Sequence, residues 1–123
     1  GQNVVVGGQD TGYDWTHPAI VKKYRGGEDS TANHNYNWHD AIHEINPANS
    51  GPNPCGLDSD VPCDDHNHGT HTMGTMVGID GENEIGLAPE ADWCACRNME
   101  PLTTMSSAPA TPEKSISSIL RMR

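Results

Sequence analysis

Two short runs gather the groups that could move protons or hold a metal. The first is Gln9-Asp10-Thr11-Gly12, a carboxylate placed just after the apolar run Val4-Val5-Val6. The second is Asp64-Asp65-His66-Asn67-His68-Gly69-Thr70-His71, where acids and imidazoles crowd together ahead of a stretch dotted with glycines. Two chemistries fit the second run. As a metal site, His68 and His71 are three apart and can face the same way on a helix, with Asp64 or His66 as a third ligand. No Cys-x-x-Cys or His-Glu-x-x-His frame supports that use. As a general base, one neutral imidazole at a helix start would take a proton from a nucleophile, provided that a buried carboxylate fixed its orientation. Asp10 is the natural orienting group, because ligands and functional side chains gather at the carboxyl ends of parallel strands.

The elements that must position these groups are legible in outline. Residues 3–9 read as a strand covered on both faces, since a β-branched run bounded by glycine is the pattern of a parallel strand. Residues 18–24 have a proline start and a lysine-rich finish, which predicts a short helical turn ended by Gly26 and Gly27. Residues 28–67 read as a long irregular segment anchored by Trp38 and Ile42, rich in Asn, His, Pro and Asp, which favour turns. Loops of this length are uncommon unless functional. Residues 68–78 are expected to be helical despite Gly69, Gly74 and Gly78, whose role would be to let another backbone approach. Residues 79–90 read as an acidic loop and residues 91–99 as a second strand. The order strand, connection, helix, strand predicts a parallel α/β sheet.

Composition excludes several functions. The 123 residues carry 7 basic and 17 acidic side chains, a formal charge of −10. Between Arg25 and Arg97 there are thirteen acids and no Lys or Arg. A surface of that sign repels phosphate backbones, so no nucleic-acid partner is expected. No apolar run approaches the ~18 residues that a bilayer span requires, so no membrane role is expected either. Cys55 and Cys63 lie in one loop dense in Gly, Pro, Asn and Asp, where a local disulfide is geometrically easy. Such a bridge implies an oxidising compartment and agrees with a secreted protein. Cys94 and Cys96 alternate along the second strand, on one sheet face; they cannot readily pair with each other, so they read either as buried thiols or as one buried thiol and one that seeks a partner elsewhere.

Residues Asp10-Thr11-Gly12 with His17-Pro18, then His68-Gly69-Thr70-His71-Thr72-Met73-Gly74-Thr75, then Ile85-Gly86-Leu87-Ala88-Pro89, closely resemble the aspartate and histidine regions of subtilisin-like serine peptidases. The bacillopeptidase F-like branch is the most similar, judging by Tyr13-Asp14-Trp15-Thr16-His17-Pro18-Ala19 and Gly74-Thr75-Met76-Val77-Gly78. The resemblance implies a three-layer α/β fold with a parallel sheet, present here only in its amino-terminal part. It implies a serine endopeptidase acting on polypeptide, with Asp10 orienting His68 as the general base and His71 structural. It implies no cofactor for the chemistry. Calcium is a family habit, yet Ala19 stands where a carboxylate often follows the His-Pro pair, and Asp80-Gly81-Glu82-Asn83-Glu84 lacks a recognised calcium spacing and reads as a solvated loop.

The family's serine motif and its oxyanion asparagine are not matched in these residues. Thr104-Met105-Ser106-Ser107-Ala108-Pro109 echoes the serine motif faintly, with threonine at the nucleophile position, so the chain alone is expected to be inactive. Residues 1–100 are read as the amino-terminal part of the peptidase domain and 101–123 as a divergent polar tail. A short helix after Thr111-Pro112-Glu113 is expected there. The opening Gly1 leads at once into strand-like sequence, so the domain is expected to start upstream. Half of a covered sheet would leave an apolar edge and face open to self-association. Three rival readings remain at this point: a non-catalytic secreted binding or decoy module, a metal-binding protein using His66, His68 and His71, and half of an aspartic protease.

Overall fold

The computed structural model describes residues 1–48 and 51–100. The expected tail, its helix and Ser106 and Ser107 lie outside the described residues. Three parallel strands form the main sheet: β1 (Val5–Asp10), β2 (Trp38–Asp40) and β5 (Asp92–Arg97), in the order β1-β5-β2. Val5 pairs with Asp92 and Asp10 with Arg97, while Trp38 pairs with Ala95 and Asp40 with Arg97. The carboxyl ends of all three strands therefore meet at one edge. One helix, α1 (His68–Val77), lies between β2 and β5 in the chain and packs on β1. Of the three layers expected, the described residues show the sheet and this helix.

Three expectations need correction. β2 lies inside the segment read as irregular; it is three residues long, and its pairing with β5 overrides neighbours that favour turns. The acidic loop contains a small hairpin, β3 (Ile79–Asp80) and β4 (Asn83–Glu84), turned through Gly81 at φ 58°. A two-residue connection with a left-handed glycine matches the right-handed twist of the strands it joins. Finally, β1 is not covered on both faces. Val4 and Val5 are exposed, whereas its buried positions are Gly8 and Asp10. β5, the central strand, is the one buried continuously from Trp93 to Arg97.

The core is aromatic. Tyr13, Tyr24, Trp38 and Trp93 are buried with Ile20, Met73, Val77, Ala91 and Ala95. The Trp93 ring lies 4.6 Å from Tyr24 and 5.7 Å from Tyr13, spacings at which tilted pairs add about 0.5–1.5 kcal/mol beyond area burial. Its indole N–H donates to the carbonyl of Ile20 at 2.8 Å, so the polar edge of the largest core side chain is satisfied. This cluster ties the 13–24 segment to the central strand and leaves the strand ends free to carry polar groups. The expected turn is a 3-10 helix at Val21–Lys23.

Candidate active site

The carboxyl end of β1 and the amino end of α1 come together through close backbone contact. Gly69 makes this approach: a Cβ there would lie 2.0 Å from the carbonyl oxygen of Gly12. Gly12, at φ 118°, has the same need, since a Cβ would meet the Cys63 carbonyl at 1.9 Å. The expected purpose of the helix glycines therefore holds at Gly69. It does not hold at Gly74, around which the space is open.

This approach sets Nδ1 of His68 2.7 Å from Oδ1 of Asp10. The Asp10 side chain is 9% exposed and the His68 side chain 56% exposed, so the carboxylate is inside and the imidazole reaches solvent. Oδ1 also accepts the amide of Thr11 at 2.7 Å. Oδ2 lies 3.2 Å from the hydroxyl of Thr72, whose single proton is shared with the Gly69 carbonyl at 2.9 Å. Hydrogen bonds to a carboxylate are charge-assisted and about twice as strong as neutral ones, so these donors fix the side chain in place. Tyr13 lies close to Asp10; burial pushes its phenol up, and the nearby Asp10 charge adds to that.

Asp64 has a role that the sequence reading did not assign. It was considered as a metal ligand, but its carboxylate is filled by protein donors. Oδ1 accepts the Thr11 hydroxyl at 2.9 Å and the amides of His66 and Asn67 at 3.1 and 2.9 Å. Oδ2 accepts the Thr70 amide at 2.9 Å and the Thr70 hydroxyl. Asp64 thus satisfies orphan donors at the start of α1 and fastens that start to β1 in the manner of a helix cap. The signal was available: an acid ahead of the helix with Thr in the first turn. Thr72, one turn after His68, was equally readable from helical spacing.

The remaining candidates are dispersed. His71 lines a separate groove with Asp14, His17 and Ile85, and the His66 and His68 rings are 6.5 Å apart. Among the described residues no three His, Cys, Asp or Glu side chains stand where they could share a metal ion. The carboxylates of Asp80, Glu82 and Glu84 are exposed on the hairpin and its turn. Cys55 and Cys63 are joined by a disulfide, while Cys94 and Cys96 are buried thiols; burial pushes the Cys94 thiol up.

An acid fixed at a strand end and an imidazole opening a glycine-dotted helix is the arrangement that the motifs implied. The subtilase (peptidase S8) family model matches residues 1–119, and the chain belongs to that family. The match runs past residue 100, into the part read as a tail. Bacillopeptidase F of Bacillus subtilis (strain 168) is 42% identical to it over 102 residues, 79% of this chain and 6% of that protein. The chain therefore spans a small part of the curated relative that it matches. No solved structure matches it.

Proposed function

We propose that these residues are the aspartate and histidine portion of a serine endopeptidase, with the nucleophilic serine supplied by residues outside the 123. The observation that carries the reading is the 2.7 Å contact between buried Asp10 and solvent-exposed His68. Nε2 of His68 takes the proton of the serine hydroxyl as oxygen attacks the peptide carbonyl. The same nitrogen later returns that proton to the leaving amine. Asp10 holds the Nδ1–H tautomer and stabilises the imidazolium without taking its proton. The substrate is a polypeptide. The loop disulfide suits an oxidising, extracellular setting, and no helix among the described residues is long and apolar enough to cross a membrane. Exposed Val4 and Val5 at the start of β1 suit self-association through that strand.

The test is a chimera in which residues 1–100 replace the aligned segment of Bacillopeptidase F. Hydrolysis of a casein-type substrate that is lost in His68→Ala supports the reading. Full activity in folded His68→Ala overturns it. The 123-residue chain by itself is expected to show no labelling by a fluorophosphonate; a labelled serine within 106–118 would contradict the placement of the nucleophile.

A further inference from the structure

Arg97 ends the central strand, and all five of its N–H groups are taken. Nε and Nη2 fork onto the Asp40 carboxylate at 3.0 and 2.7 Å. Nη1 donates to Asp65 Oδ2 at 3.0 Å and to Asn53 Oδ1 at 3.2 Å, and Nη2 donates also to the Gly56 carbonyl. The side chains of Arg97, Asp40 and Asp65 are 1%, 1% and 3% exposed. Two carboxylates thus share one guanidinium away from water, and Oδ1 of Asp65 is buried with no partner among the described residues. Burial pushes the Asp65 carboxyl up, and the Arg97 charge pulls it back only in part. A buried ionic cluster of this kind is a poor source of net stability compared with apolar packing, so its use is better sought in position.

What it positions follows from the chain. Gly56 lies within the loop closed by Cys55 and Cys63, and Asn53 and Asp65 flank that loop. Asp65 directly follows Asp64, which holds the first turn of α1 and the hydroxyl of Thr11. Within the same loop, the Cys63 carbonyl accepts the amide of Tyr13, just after the Asp10 turn. A shift of Asp65 must therefore carry Asp64, and with it the first residue of the helix, His68.

We infer that Arg97 is a positioning residue for His68, acting through Asp65 and Asp64 on the first turn of α1, with the Cys55–Cys63 disulfide closing the loop through which it acts. The inference rests on the proposed peptidase reading, in which the orientation of His68 matters. A lysine cannot replace the arginine, since it has three donors and no planar fork.

The experiment is nitrogen-15 NMR of the neutral His68 ring in the oxidised 123-residue chain, compared with Asp65→Ala. That variant cuts the link, while Asp40 continues to hold Nε and Nη2 of Arg97 at the end of β5. The expected result is a single Nδ1–H tautomer in the parent and its loss to a solution-like mixture in Asp65→Ala, with amide shifts of β1, β2 and β5 unchanged. The parent chain reduced with dithiothreitol provides a second perturbation with the same expected loss. An unchanged His68 tautomer in either folded sample overturns the inference. Global unfolding of both also overturns it, because the link would then carry the fold and not the orientation of His68. Absence of the Nδ1–H tautomer in the oxidised parent would be a different failure, that of the peptidase reading itself.

Discussion

The described residues contain two aspartate–histidine contacts, and they differ in only one partner. In both, Nδ1 of the imidazole meets Oδ1 of the carboxylate, and in both the histidine side chain is 56% exposed. Asp10 is 9% exposed, whereas Asp58, the partner of His43, is 62% exposed. Asp10 is fixed by the Thr11 amide and approached by Thr72, at the end of a strand paired along its length. Asp58 lies in a loop at φ 51°, and its carboxylate faces water. A contact in high dielectric between two mobile side chains is worth about 0–1 kcal/mol and orients little. The pair at the strand end differs because the carboxylate was desolvated, bonded and immobilised during folding, so no reorganisation is required when the imidazole gains charge. Chemistry at a His–Asp pair is thus decided by what surrounds the acid.

The largest effect that can break this comparison is on turnover. In the chimera, His68→Ala is expected to lower kcat by about 10⁶-fold, the size typical of a triad histidine. Asp10→Asn should lower it by about 10⁴-fold through the wrong tautomer. His43→Ala and Asp58→Asn should each change it by less than about threefold. Comparable losses at both pairs would erase the distinction.

A smaller effect sharpens the role of packing around the first pair. Gly69→Ala forces a methyl onto the Gly12 carbonyl and should cost about 1–3 kcal/mol, while displacing His68 from Asp10. Gly74→Ala, on the same helix with open space around it, should stabilise by about 0.5–1 kcal/mol. Urea midpoints of the two variants should move in opposite directions; movement in the same direction would mean that the close approach at Gly69 is not what sets the pair.

The smallest expected effect concerns a third imidazole, placed for structure. The His34 ring lies 4.9 Å from Trp15 and 3.0 Å, through Nδ1, from the Tyr24 hydroxyl. Burial lowers its pKa below the ordinary 6.5. The unfolded chain therefore binds a proton more readily than the folded one, and stability is lost as pH falls through 6.5 toward the lower folded value. Unfolding midpoints measured on either side of that pH should differ less in His34→Gln than in the parent. An equal difference in both would assign the pH dependence elsewhere.

What could be read in the sequence follows how local its cause is. The Cys55–Cys63 pairing depends on a short run whose residue types already state the need, and Asp10 on its place at a strand end, whereas His68 is singled out from His66 and His71 only by the family resemblance. The helix and the parallel setting of the first and last strands were legible for the same reason. β2 was not, because Trp38-His39-Asp40 is extended only through pairing with β5, far along the chain. Nor was the exposure of Val4 and Val5, since apolar residues in a β-branched run do not reveal whether another layer covers them. The Arg97 cluster joins groups 57 and 32 residues apart. The only hint was a lone cation, at the end of a strand of small and aromatic residues, following thirteen acids. A charge in that place must find carboxylates, but the sequence did not say which.

The central claim is that burial of Asp10 fixes the His68 ring in the orientation that a general base requires. Nitrogen-15 NMR of both histidines in the same oxidised chain tests it most directly. His68 should show one neutral tautomer with the proton on Nδ1, altered in Asp10→Asn, while His43 shows a mixture that Asp10→Asn leaves unchanged. A His68 ring with the same tautomer mixture as His43 would contradict it.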